Sequence, residues 1–184
     1  KLLMLGQGAG EFVMPNDIAV DSVTGEIFVA DSKAHLVKVY TPSGVFARSF
    51  GGQGSDDGQL NFPAGIFVDA AAREVVVVDQ LNFRVEIFDV DGNFLSCFGT
   101  QGSGAGKFNV PQGVWADSQG RIYVADSFEG RIQVLDRNGD FISFIGDFGD
   151  GPGLLRVPMD LAIDASNRLF VAAANNARVE VFGL

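Results

Sequence analysis

The sequence predicts an all-β chain built from four copies of one four-stranded antiparallel unit. Three observations predict it. Prolines recur at Pro15, Pro63, Pro111 and Pro158, at spacings of 48, 48 and 47 residues. Short apolar runs follow each proline at matching offsets, bounded by Gly, Asp, Asn and Pro. The 184 residues include 24 Gly and 17 Phe but only 3 Met, a poor composition for helix interiors.

The elements follow in order. A first run ending in Asp covers 17–21, 65–69, 113–117 and 160–164. A second covers 27–31, 75–79, 122–126 and 169–173, and a third covers 36–40, 84–88, 131–135 and 178–182. A fourth occurs three times, at 45–50, 93–98 and 140–145. Each is five or six residues long and rich in Val, Ile, Phe and Tyr, as strands are. The links 41–44, 89–92 and 136–139 end in Gly, which suits a hairpin on a type I turn closed by a left-handed residue. Each repeat is therefore a four-stranded meander.

Some runs, such as Val75, Val76, Val77 and Val78, are apolar on both faces. A sheet buried on both faces needs neighbours on both sides, and radially packed blades supply them. Four strands in a repeat of about 40–50 residues is the pattern of a β-propeller blade. The expected organisation is one propeller domain over 1–184, with blades near 11–50, 59–98, 107–145 and 154–184 plus 1–5.

The residues that carry a family resemblance are clearest in the third repeat. They are Gly104 to Phe108 of the Gly-rich loop, Pro111, Gln112, Gly113 and Val114, then Gly120 to Ser127, then Arg131, Ile132, Gln133 and Val134. This order resembles the NHL repeat, and the likeness extends over the whole chain. The resemblance implies a β-propeller, usually of six blades, serving mostly as a binding scaffold and in a minority of cases as an enzyme. Residues 1–5 stand where a fourth strand belongs, and the chain stops after the third strand of repeat four. Two arrangements follow: a four-bladed ring closed by the N-terminal strand, or four blades of a six-bladed ring. An open arc would expose two apolar faces and should then oligomerise.

Charge and composition exclude several roles. Seventeen Asp and six Glu against nine Arg and four Lys leave a net charge of −10. Nucleic acid and anionic membrane surfaces are disfavoured as partners. The excess of Asp suits turns, where the side chain bonds its own backbone. One His cannot supply the two or three imidazoles of most catalytic zinc sites. Cys97 stands alone, so no internal disulfide forms and the compartment stays open. No apolar run reaches the roughly 18 residues of a membrane span, so no membrane insertion is expected. The chain does not begin with Met, which suggests a mature or excised segment of a longer extracellular or periplasmic protein.

Candidate site residues sit on the loops between second and third strands, which the resemblance implies share the ligand-facing side of a propeller. Loops held by a rigid scaffold commonly carry function. The candidates are Lys33 and His35, then Gln80, Asn82 and Phe83, then Phe128 and Glu129, then Asn175 and Asn176. Phe83 and Phe128 are large apolar residues at loop tips, suited to a partner surface or to packing on the next blade. Gln112 and Asp160, with Asn16, Asp17 and Arg178, would supply polar groups at a channel mouth. Trp115 and Phe67 share one register position of the first strand with Ala19 and Ala162, which suits a tapered core.

Asp31, Asp79 and Asp126 recur at the end of the second strand. Three carboxylates around one axis could hold Ca²⁺. The structural reading is preferred: an Asp here can accept N–H groups of its own turn or pair with the Arg five positions on, as Asp79 with Arg84 and Asp126 with Arg131. Repeat four keeps Arg178 but has Ala173 in the Asp position, so a functional ring of acids would be broken.

Other motifs dissolve on inspection. The Gly-rich loops precede strands and not helix N-termini, so they are not phosphate cradles. Residues 89–92 open like an EF-hand but lack its Glu and spacing. No catalytic residue set and no cofactor is expected. The leading function is a non-enzymatic binding scaffold for a protein or peptide, with a small ligand at the channel mouth as the lesser form. The alternatives are a metal-dependent hydrolase or lyase similar to propeller lactonases or amidating lyases, and a purely structural module of a longer secreted chain.

Overall fold

A computed structural model describes residues 5–6 and 10–184. Among these residues there are seventeen strands, and the four repeats each form one antiparallel sheet. The first sheet is β1 (Pro15–Val20), β2 (Ile27–Asp31), β3 (Leu36–Tyr40) and β4 (Phe46–Gly51), paired in chain order. The second is β5 (Pro63–Asp69), β6 (Glu74–Asp79), β7 (Arg84–Asp89) and β8 (Phe94–Phe98). A two-residue parallel pair, β9 (Thr100–Gln101) with β10 (Lys107–Phe108), ties the ends of the next Gly-rich loop. The third sheet is β11 (Pro111–Ala116), β12 (Ile122–Asp126), β13 (Arg131–Leu135) and β14 (Phe141–Ile145).

Among the described residues the fourth sheet has three strands, β15 (Pro158–Ile163), β16 (Arg168–Ala173) and β17 (Arg178–Gly183). The strand expected from residues 1–5 falls mainly on 1–4, outside the described residues, and Leu5 lies outside any strand. The chain divides into two compact units, Lys1–Cys97 and Phe98–Leu184, with two sheets in each.

The recurrent proline has a structural reason. It is the first residue of each first strand, where its missing N–H costs no ladder bond. In all four repeats the pairing register shifts immediately after it. Such a bulge re-aims the strand entry and the residues beside it.

Within each unit two sheets pack face to face. In the first, Phe28, Ala30, Val37, Val39 and Phe50 share one core with Ile66, Val68, Val75, Val77 and Phe88. In the second, Tyr123, Ala125, Ile132 and Val134 share one with Leu161, Leu169 and Val171. Burying one such side chain contributes about 1.5–3 kcal/mol, so these faces dominate the stability of each pair.

The abundant Asp is turn chemistry. Between first and second strands, the side chains of Asp21, Asp69, Asp117 and Asp164 each accept backbone N–H groups two to four residues on. Asp89 and Asp136 do the same in the hairpins between third and fourth strands. The N–H groups of Gln119 and Arg121 and the Arg121 guanidinium hold the Asp117 carboxyl below its usual range against the opposing effect of burial.

Candidate functional site

The candidate loops are built on a clamp that recurs in every repeat. Asp31 is fully buried and accepts the N–H groups of Val13 (3.0 Å) and Met14 (2.7 Å), just before Pro15. Asp79 accepts Asn61 N–H at 2.6 Å, and Asp126 accepts Asn109 (2.8 Å) and Val110 (3.1 Å). The fourth repeat has Ala173 at this position, and Asn176 takes over by accepting Arg156 N–H at 2.5 Å. One side chain thus fixes the entry to the first strand and the start of the second-to-third turn together. Among the described residues, no three His, Cys, Asp or Glu side chains converge as a metal set.

A basic residue staples the Gly-rich loop beside each clamp. Arg84 pairs with Asp79 at 2.8 Å and donates to the carbonyls of Ser55 (3.0 Å) and Gln59 (2.8 Å). Arg178 donates to Asp150 (3.0 Å) and Gly151 (2.7 Å) carbonyls. Arg131 donates to the Ser103 carbonyl, and its ion pair at 3.3 Å is with Glu129. The expected Asp126–Arg131 pair is replaced by this arrangement, because Asp126 also accepts the N–H groups of Phe128 and Glu129. Leu36 occupies the Arg position in repeat one, and Lys38 pairs instead with Asp31 at 2.8 Å while reaching the Glu11 carbonyl.

Sequence reasoning missed the centre of the third strand. Lys38, Glu86, Gln133 and Glu180 share one register position within otherwise apolar runs. Gln133 accepts Gly106 N–H at 3.0 Å and donates to the Lys107 carbonyl; Glu180 accepts Gly153 N–H at 3.3 Å. Glu86 is fully buried, 2.7 Å from Arg84, with no well-formed hydrogen bond to either oxygen. Burial raises its carboxyl to about 7 against the pull of Arg84. The signal available was a polar residue at the same point of four apolar runs.

The turns themselves are short 3-10 segments, Ser32–Ala34, Gln80–Asn82 and Ala174–Asn176, closed by residues in the left-handed region. Those residues are His35 (φ 57°), Phe83 (φ 57°) and Ala177 (φ 52°). In the third repeat the position is Gly130 (φ 67°), where an added Cβ would lie 2.6 Å from the Leu155 carbonyl oxygen. Phe83 is therefore not the tip residue expected; it is the half-buried counterpart of His35. His35 accepts Phe62 N–H on Nδ1 at 3.1 Å and so joins the first blade to the second. Ser32 and Ser127 also bridge blades, each donating to the carbonyl of the next proline, Pro63 or Pro158, at 2.6 Å.

The tip of each turn is its second residue. These are Lys33, Leu81, Phe128 and Asn175, and all four are exposed. Leu81 was missed, because Phe83 two residues later is the larger apolar group. Several other candidates serve the scaffold. Asn82 donates to Asp79 (2.7 Å) and the Gly54 carbonyl (2.8 Å), and Glu129 accepts from Asn109 at 2.5 Å. The backbone carbonyl of Gln80 accepts Phe83 N–H at 3.1 Å.

Phe128 stands apart. It is 69% exposed although its backbone is clamped by Asp126 at 3.2 Å, and it borders a 220 Å³ hollow with Asn109 and Val110. At the opposite end of the same unit, Trp115, Asp117, Ser118, Ile163, Asp164 and Asn167 line a 350 Å³ depression. Gln112 is half-buried, and Asp160 is exposed beside Gly113.

Antiparallel blades packed face to face, with the same clamp four times over, define a β-propeller repeat protein. Residues 12–40 match the NHL repeat, and residues 115–184 match a family described as a 6-bladed beta-propeller. The chain is similar to one in the crystal structure of a nidogen/laminin complex, with TM-score 0.76 and 22% identity, over 92% of this chain and 60% of that one. It is also similar to a protein of unknown function from Bacteroides caccae, with TM-score 0.68 and 13% identity, over 92% of this chain and 57% of that one. This chain therefore spans less than two thirds of either structure. No curated protein matches the sequence. The fold is consistent with a binding or scaffold module, and 644 matching chains of known structure make it too widespread to name a function by itself. Among the described residues, no helix is long and apolar enough to cross a membrane.

Proposed function

We propose that this chain is a non-enzymatic binding module that presents its second-to-third turn tips to a protein or peptide. The observation that carries the reading is Phe128. A large aromatic side chain held exposed on a clamped backbone, beside a hollow, has the character of an interface anchor. Little ordering entropy is lost when such a rigid tip binds. Lys33, Leu81 and Asn175 occupy the same repeat position, so the tips vary in chemistry while their backbones stay fixed. The net charge of −10 favours encounter with positively charged partners. The nidogen/laminin assembly of a structural neighbour is in keeping with a protein partner.

Selection of a displayed peptide library on the purified chain tests this reading. Peptides with aromatic or aliphatic anchors should be enriched. Phe128→Ser should weaken them at least about tenfold, the usual size of an anchor loss, while the unfolding midpoint stays unchanged. Equal binding by Phe128→Ser and the parent would overturn the proposal.

A further inference from the structure

The internal repeat shows where the third blade departs from the first two. In those two, the phenylalanine that opens the outer strand meets a ring at the end of the third strand. Phe46 meets Tyr40 edge-on at 5.8 Å between ring centres, and Phe94 meets Phe88 at 6.2 Å. In the third blade Leu135 stands opposite Phe141, where Tyr40 stands opposite Phe46 in the first. Phe141 instead meets Phe144 at 4.5 Å. Phe144 takes the place held by Ser49 in the first blade and by Cys97 in the second. The register shift in the same strand leaves Ile142 between them without a cross-strand partner. Phe141, Ile142 and Phe144 are 37%, 48% and 39% exposed.

These three side chains stand on a sheet edge. β14 is last in the order of its sheet, so among the described residues one side of its backbone has no strand beside it. Such edges are commonly blunted by charge, because free N–H and C=O groups recruit another strand. None of the five residues of β14 is charged. The patch also continues toward Phe128: Arg131 lies 4.0 Å over the Phe144 ring and pairs with Glu129, next to Phe128 in the chain. All of these residues lie in the interior of the chain and within one compact unit.

We propose that the partner contributes an extended segment that adds as a fifth strand along β14, its apolar side chains covering Phe141, Ile142 and Phe144. This rests on the reading of the chain as a peptide-binding module and adds where and how the peptide lies. Charge selects the occupant. Asp140 and Asp147 are exposed and bracket the strand, so the segment carries basic residues on both sides of an apolar centre. A second copy of this chain is the poorer occupant. Antiparallel pairing of two β14 strands about Ser143 would set Asp140 of each copy near Asp147 of the other, and like charges across a strand pair repel. The net charge of −10 adds to that repulsion.

The probe is a short synthetic peptide of alternating phenylalanine and threonine between paired lysines, and its binding to the full chain is followed by fluorescence anisotropy. Phe144→Ser, which installs the first blade's residue, should weaken binding at least about tenfold. Ile142→Ala, matching Ala47 of the first blade, should weaken it about fivefold and serves where Phe144→Ser fails to fold. N-methylation of the peptide at alternate amides should abolish binding for one set of positions and spare the other, because a ladder with one neighbour uses every second N–H. Exchanging the lysines for glutamates should abolish it as well. Loss of binding in Phe144→Ser but not in Phe128→Ser keeps the edge and strikes the tip as anchor. Loss in Phe128→Ser but not in Phe144→Ser overturns the edge and keeps the tip. A chain that ignores the probe, or methylation with the same effect at both sets, overturns the proposal. So does an oligomer that forms without peptide and is lost in Phe144→Ser, since the edge then belongs to a second copy.

Discussion

The second and third blades solve one problem with different chemistry. Each must hold a Gly-rich loop against the end of a third strand. The second blade does so with a charged cluster, Asp79, Arg84 and Glu86, in which both carboxylates are fully buried. The third places the neutral Gln133 at the position of Glu86, holds the loop with Gln133 and with Arg131 paired to Glu129, and reserves Asp126 for four backbone N–H groups. Burial raises the carboxyls of Asp79 and Glu86 despite the adjacent guanidinium. The geometry is therefore conserved between these two blades while its electrostatic cost is not: buried ion pairs repay desolvation only when every group is well bonded.

The largest expected effect separates the two clamps. Asp126→Ala strands four part-buried N–H donors at once and should cost about 2–4 kcal/mol. Asp79→Ala should cost less, because Glu86 retains Arg84 and loses a repelling neighbour. Urea unfolding at one pH compares them. Asp79→Ala costing more than Asp126→Ala would break the account of the charged cluster as the less efficient clamp.

The next effect depends on pH. The Glu86 carboxyl rises from an ordinary 4.5 to about 7 in the fold, so the native state holds that proton more tightly than the unfolded chain. Its contribution is full below about 4.5, declines as the pH climbs, and is lost above about 7. The shift corresponds to roughly 3 kcal/mol as an upper figure. Glu86→Gln, which installs the third blade's solution, should be more stable than the parent at pH 8 by about 1–3 kcal/mol and about equal near pH 4.5. The reciprocal Gln133→Glu should acquire the slope that Glu86→Gln loses. Parallel stability–pH curves for the parent and Glu86→Gln would show that the carboxylate is better solvated than its burial implies.

These contrasts explain what was legible in the chain. The fold was, because proline spacing and alternation of runs repeat four times, and repetition averages out the ambiguity of any one short strand. The Asp clamp was half legible: its position recurs, but its partners at Val13, Asn61 and Asn109 lie 18, 18 and 17 residues away. In the second repeat residue type and register point to different tips. Phe83 is larger than Leu81, yet it occupies the left-handed turn position shared with His35 and Ala177. Glu86 and Gln133 were passed over because a central strand position reads as core, and only alignment of the four copies shows it is always polar.

That left-handed position yields the smallest and most easily isolated effect. It is held by His35, Phe83, Gly130 and Ala177, with φ between 52° and 67°. A non-glycine residue there costs about 1 kcal/mol from the clash of Cβ with the backbone. His35 offsets this cost with its bond to Phe62 N–H. Ala177 is exposed, and its methyl has no comparable polar contact to lose. Ala177→Gly should therefore raise stability by up to about 1 kcal/mol, less the added freedom of glycine in the unfolded chain. His35→Gly relieves the same strain but leaves the part-buried Phe62 N–H without its acceptor, and it should lower stability by about 1 kcal/mol. Thermal unfolding of the two variants side by side would read opposite signs from one backbone position, and two gains would show that the His35 contact contributes nothing.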